Sequence, residues 1–163
     1  MLSRLKNRLA NLKKANTNVI PNLPFNKFEQ MILEAFQEGQ SNPFEKKLEN
    51  ISFEIVAYTS GGYPDGLKAD IEFHIYNLVT KKKYSTHASA FDDYDYVEDT
   101  DGESVFINKE PNYDIGRLQD DATSVDWKRY GQYGELSTKE LYQSFAKDIM
   151  FYNENPHENF PKR

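Results

Sequence analysis

In two segments between Ile51 and Tyr76 this chain places an apolar residue at every second position. In 51–58, Ile51, Phe53, Ile55 and Ala57 alternate with Ser52, Glu54, Val56 and Tyr58; in 67–76, Leu67, Ala69, Ile71, Phe73 and Ile75 alternate with Lys68, Asp70, Glu72, His74 and Tyr76. Successive side chains of a strand point to opposite faces, so both segments read as strands covered on one face and wet on the other. The segment 60–66 between them is Ser-Gly-Gly-Tyr-Pro-Asp-Gly, which is turn chemistry throughout. A short turn at Thr80-Lys81 leads to a third strand at Lys83–Phe91, and Val105-Phe106-Ile107 predicts a fourth. An antiparallel meander of about four strands is the simplest topology.

Outside this region the period is helical. Phe28, Met31, Ile32, Ala35 and Phe36 form one apolar stripe, with Asn26 as a cap, Glu29 reaching back to it and Gly39 as the stop. Asn42-Pro43-Phe44-Glu45 repeats the start signal and predicts a short helix ending near Asn50. Residues 109–135 read as mostly irregular, with one short helix around 123–130. Ser137-Thr138-Lys139-Glu140 is a capping box, and Leu141, Phe145 and Ile149 supply the buried stripe of the last helix. The fold class that follows is α+β, with helices packed on one face of an antiparallel sheet. A single domain is expected over 25–152, after a basic amphipathic helix at 1–15 and a linker at 16–24, with a tail at 153–163.

Composition removes several kinds of chemistry. The 163 residues include no cysteine, which excludes a disulfide scaffold, a thiolate zinc site and cysteine catalysis. No apolar run approaches the roughly 18 residues of a membrane span. Charge is unevenly distributed: residues 1–28 hold six cations and no acid, so the other 135 carry 14 cations against 26 acids, a net −12. An acidic body repels nucleic-acid backbones and speeds encounter with a basic partner. Direct nucleic-acid binding is therefore not expected. In the basic head, Leu2, Leu5, Leu9 and Leu12 recur at helical spacing between cations, without the continuous apolar core of a secretory signal. That stripe is expected to cover the domain's own core. The alternative, in which Met1–Lys14 anchors a peripheral membrane or organellar accessory protein, rests on the same pattern.

Catalytic templates are weak or absent. If Thr80-Lys81 is a two-residue turn, His74 stands opposite His87 with Glu72 diagonal to it, a donor set suited to a divalent metal. Asp70 and Glu72 add a carboxylate pair, so a metal-dependent hydrolase using His74, His87, Asp70 and Glu72 is the enzymatic alternative. Strand alternation on a solvated face explains the same residues without chemistry, and no catalytic residue, metal or cofactor is assigned. There is no Gly-rich phosphate cradle, no G-x-S-x-G elbow and no H-E-x-x-H. In Trp127-Lys128-Arg129-Tyr130, Trp127 reads as a core anchor with its neighbouring cations snorkelling to solvent.

The most distinctive segment is 92–103, which interleaves seven carboxylates with two tyrosines and holds no cation. Aligned as a calcium loop on Gly102, it puts Val97 and Asn108 where ligating carboxylates are required, so that reading fails. A docking surface is the functional reading. Asp92, Asp93, Tyr94, Asp95, Tyr96, Glu98, Asp99, Asp101 and Glu103 are the candidate partner-binding residues, carboxylates meeting Lys and Arg while the tyrosines provide rigid contact area.

The run from Ile71 to Tyr94 resembles the central hairpin of YezG/EsaG-type antitoxins. It contains Phe73-His74-Ile75-Tyr76, Lys82-Lys83-Tyr84-Ser85-Thr86-His87 and Asp93-Tyr94. Asn112-Tyr113-Asp114, and Trp127 followed by Tyr133-Gly134, are similar to the later part of that family. The likeness covers about half the chain. It implies a cytoplasmic immunity protein that binds and blocks a nuclease toxin without catalysis. The basic head is extra to that pattern, and the acidic segment stands where the family has a helix.

Overall fold

A computed structural model describes residues 18–62, 66–91, 94–98, 104–108, 126–132 and 134–161. Helix α1 (Phe25–Glu38) is followed by strands β1 (Phe44–Lys47), β2 (Ile51–Gly62), β3 (Gly66–Asn77) and β4 (Lys83–Phe91). Then come β5 (Tyr94–Glu98), β6 (Ser104–Asn108), β7 (Asp126–Arg129), β8 (Leu136–Ser137) and helix α2 (Thr138–Glu154). Six strands form one sheet in the order β1-β2-β3-β4-β7-β8, all neighbours antiparallel, while β5 and β6 form a separate two-stranded sheet. The fold is α+β, and its first four strands are a meander. Val105-Phe106-Ile107 is a strand, as its apolar run predicts, but it pairs with the acidic segment instead of joining the meander.

Period-two patterning decides which face is covered. Ile51, Ile55, Ile71, Phe73 and Ile75 are fully buried, and α1 and α2 close over them with Phe28, Ile32, Leu141, Phe145 and Ile149. Phe73 and Phe145 stack at 4.5 Å, joining the centre of the sheet to the centre of α2. Ser137 accepts from Glu140 N while the Glu140 side chain accepts from Ser137 N, so the expected capping box opens α2. Gly39 ends α1 at φ 85°, a backbone value open to glycine at little cost.

Several local signals lose to tertiary contacts. Residues 44–47 form an edge strand, not a helix: Phe44 pairs with Ile55 and its ring lies 6.0 Å from that of Phe53. A helix of so few residues cannot recover its nucleation cost, whereas each strand residue joins an existing ladder. The helix expected around 123–130 is replaced over 126–129 by β7, whose alternation buries Trp127 and Arg129 and leaves Asp126 and Lys128 exposed. Trp127 is the expected anchor, with Nε1 donating to Thr138 Oγ1 at 3.0 Å. Arg129 does not snorkel. It is buried, donates to Ser144 Oγ and pairs with Asp148. At the start of α1 the cap is Pro24, which offers no side-chain bond, and Asn26 lies inside the first turn. Of the expected 60–66 turn, Ser60, Gly61 and Gly62 belong to β2 and Gly66 to β3, while 63–65 lie outside the described residues.

The flanking segments are also part of the body. From 18 onward the expected linker is docked: Ile20 and Leu23 are buried. Tyr142 OH accepts from Ile20 N at 3.1 Å and donates to Leu23 O at 2.6 Å. Burial raises the Tyr142 hydroxyl above its ordinary pKa, against the opposing effect of the Ile20 N–H. At the other end, Asn153 and Glu154 belong to α2, and Phe160 returns to stack on Tyr84 at 5.4 Å. The 1–15 segment lies outside the described residues.

Among the described residues, one buried side-chain oxygen has no hydrogen-bond partner. Thr86 stands on the core face of β4 opposite Phe73, 3% exposed, and its Oγ1 makes no such bond. A buried hydroxyl with no acceptor or donor loses its hydration for nothing. Thr86→Val keeps the shape and β-branching and removes the orphan oxygen. It is expected to raise the unfolding free energy by about 1 kcal/mol, seen as a higher urea midpoint with an unchanged slope.

Candidate functional site

The face of the sheet turned away from α1 and α2 carries residues of β2, β3 and β4 in three cross-strand rows, among which Val56, Asp70 and Ser89 are buried. The rows are Tyr58–Asp70–Ser89, Val56–Glu72–His87 and Glu54–His74–Ser85. The β3–β4 connection sets this register. Asn77 Oδ1 accepts from Val79 N at 2.8 Å and Thr80 N at 3.0 Å, Lys81 takes φ 65°, and Asn77 N donates to Lys82 O at 2.8 Å. The side chain of Asn77 thus builds a four-residue loop in place of a two-residue turn. His74 stands opposite Ser85, and Glu72 opposite His87, correcting the expected His74–His87 pair. A displacement of two residues preserves faces, so both imidazoles remain on the open side.

In the first row Ser89 donates to Asp70 Oδ1 at 2.6 Å, and Lys68 Nζ lies 3.4 Å from the same oxygen. Asp70 is only 3% exposed, so its carboxylate is committed to these partners. Between the rows, Tyr58 OH donates to Glu72 Oε1 at 3.2 Å, Glu72 Oε2 meets His74 Nε2 at 3.2 Å, and His74 Nδ1 meets Ser85 Oγ at 2.7 Å. The Tyr58 hydroxyl is pushed up to about 12, first by desolvation, then by the negative charges of Asp70 and Glu72 and its bond to Glu72. His87 stacks on Tyr130 with centroids 5.4 Å apart, and its carbonyl accepts from Tyr130 N.

Two shallow hollows meet at His74. One, of about 380 Å³, is bordered by Tyr58, Lys68, Glu72, His74, Ser85 and His87. The other, of about 510 Å³, is bordered by Glu45, Lys47, Glu54, His74, Tyr76 and Lys83. Among the described residues no three His, Asp or Glu side chains are grouped to hold a metal ion. Ser85 and Tyr58 escape sequence reasoning because their roles follow from the register. The Asn at position 77 is the signal from which that register could have been read.

Of the candidate partner-binding residues, Tyr94, Asp95, Tyr96 and Glu98 are on β5, where they pair with Asn108, Ile107, Phe106 and Ser104 of β6. Asp92, Asp93, Asp99, Asp101 and Glu103 lie outside the described residues. No helix among the described residues is long and apolar enough to cross a membrane. Comparisons with protein families, curated proteins and solved structures found no match to this chain.

Proposed function

We propose that this protein is a stoichiometric inhibitor of the immunity or antitoxin type, acting in the cytoplasm on a basic, nuclease-type toxin that it blocks by a non-enzymatic mechanism. The observation that carries the reading is the 92–103 segment: seven carboxylates without a cation, whose central residues are a strand of a two-stranded hairpin apart from the main sheet. A strand-ordered backbone loses less conformational entropy on binding than a free loop does. Inhibition is by occlusion. Carboxylates of Asp92, Asp93, Asp95, Glu98, Asp99, Asp101 and Glu103 sit where substrate phosphates would, against Lys and Arg of the toxin's cleft, and Tyr94 and Tyr96 add contact area. The net −12 of residues 29–163 steers the encounter, so association should slow as salt rises.

The test mixes a candidate nuclease toxin with the full chain and with an Asp92→Lys/Asp93→Lys/Asp95→Lys variant. Reversing three charges at a steered interface is expected to weaken inhibition by at least about 100-fold. Undiminished inhibition would remove the segment from the mechanism.

A further inference from the structure

The inhibitor reading makes no use of the chain Ser85–His74–Glu72. In the His74 tautomer that carries its proton on Nε2, Glu72 accepts that proton's hydrogen bond at 3.2 Å and Nδ1 accepts from the Ser85 hydroxyl at 2.7 Å. Tyr58 OH holds the other Glu72 oxygen, which prevents the carboxylate from turning away. The backbone enforces the order: His74 and Ser85 are cross-strand partners, and Glu72 precedes His74 by two residues on the same face. The side chains of His74 and Glu72 are 23% and 40% exposed, so the base is within reach of solvent and of a small molecule in the hollow of about 380 Å³.

A hydroxyl, a base and a carboxylate that orients the base, each within hydrogen-bond reach of the next, is the arrangement that activates a serine. We propose that Ser85 is a nucleophile toward activated esters, with His74 as its general base and Glu72 as a positioning residue. Ser85 Oγ bonds to the carbonyl carbon while its proton passes to His74 Nδ1. The bond from that carbon to the leaving oxygen breaks, and the leaving group takes the proton from His74. The acyl-Ser85 ester is then hydrolysed by water through the same base, releasing the acid and restoring the hydroxyl.

The geometry also sets the substrate class. Backbone N–H groups of β3 lie in the sheet ladder and do not point to the open face. The side chains bordering the hollow that can meet negative charge on the carbonyl oxygen are His87 and Lys68, the latter also 3.4 Å from Asp70. A site without preorganised backbone donors forgoes about 100-fold or more in rate for each one missing. The chemistry is consequently restricted to esters with good leaving groups, and the acyl-serine accumulates.

The experiment uses the full chain with p-nitrophenyl acetate. A burst of p-nitrophenolate is expected, with one acetyl group located on Ser85 by mass spectrometry. Ser85→Ala should abolish both, and His74→Gln should slow acylation by about 100-fold or more. Glu72→Gln should lower the acylation rate constant while leaving the burst amplitude intact, a split that a merely structural role would not produce. An alkyl fluorophosphonate decides the point on the unaltered protein, since it labels Ser85 or it does not. Absence of a Ser85 adduct, or a full burst from Ser85→Ala, would overturn the assignment. Toxin inhibition is read separately: Ser85→Ala should inhibit as the parent does, so either reading can fail without the other.

Discussion

Phe145→Ala is expected to lower the unfolding free energy by about 4 kcal/mol. The ring is fully buried at the junction of α2 and the sheet. It stacks on Phe73 at 4.5 Å, meets Phe28 edge-on at 6.5 Å and lies 5.0 Å beneath the Arg129 guanidinium. Truncation forfeits the transfer free energy of the ring and leaves a cavity, because neighbours fixed on a sheet and two helices cannot collapse into the space. It also removes the aromatic face beneath a buried cation. Phe151 on the same helix is the control. It is 48% exposed, and Phe151→Ala should cost no more than about 0.5 kcal/mol. Urea unfolding of the two variants checks both values. A loss below about 1 kcal/mol for Phe145→Ala would mean that α2 is not packed as described.

The second large effect concerns Arg129. The guanidinium is buried at the end of β7, bonded to Ser144 Oγ and paired with Asp148, which is 30% exposed. Asp148→Ala strands a buried positive charge. Breaking a buried pair costs about 3–5 kcal/mol, and the partial exposure of Asp148, which admits water to the vacated position, brings the expectation down to about 2–3 kcal/mol. Replacing both members with apolar residues, Arg129→Met with Asp148→Leu, should recover most of that loss, since neither charge then requires solvation. The comparison distinguishes a pair that stabilises in itself from one whose members merely need each other. If Asp148→Ala and the double variant unfold at the same urea midpoint, the pairing account is wrong.

Periodicity, which is a local property, was legible from the residues alone. Strands at 51–58, 67–76 and 83–91, the stripe Phe28–Met31–Ile32–Ala35–Phe36, with Phe36 half-buried, and the Ser137–Glu140 capping box are all present, because each is written within a few residues of itself. The acidic segment was legible as composition, but its pairing with 104–108 was not, since nothing in either strand names its partner. Residues 44–47 and 126–129 carry start signals or mixed polarity that suit a helix, and both become strands because an edge was available to each.

Amino-acid order by itself determined an α+β chain with one covered sheet face, an acidic body and no cysteine chemistry. The folded β3–β4 loop decided that Ser85, rather than His87, would meet His74, with Asn77 as its one sequence signal, and tertiary packing alone decided that Arg129 would be buried against Asp148. The reason is geometric. Alternation assigns a residue to a face at no cost in information, but its neighbour across the ladder depends on the length of the connecting loop. Here that length follows from two hydrogen bonds to the side chain of Asn77.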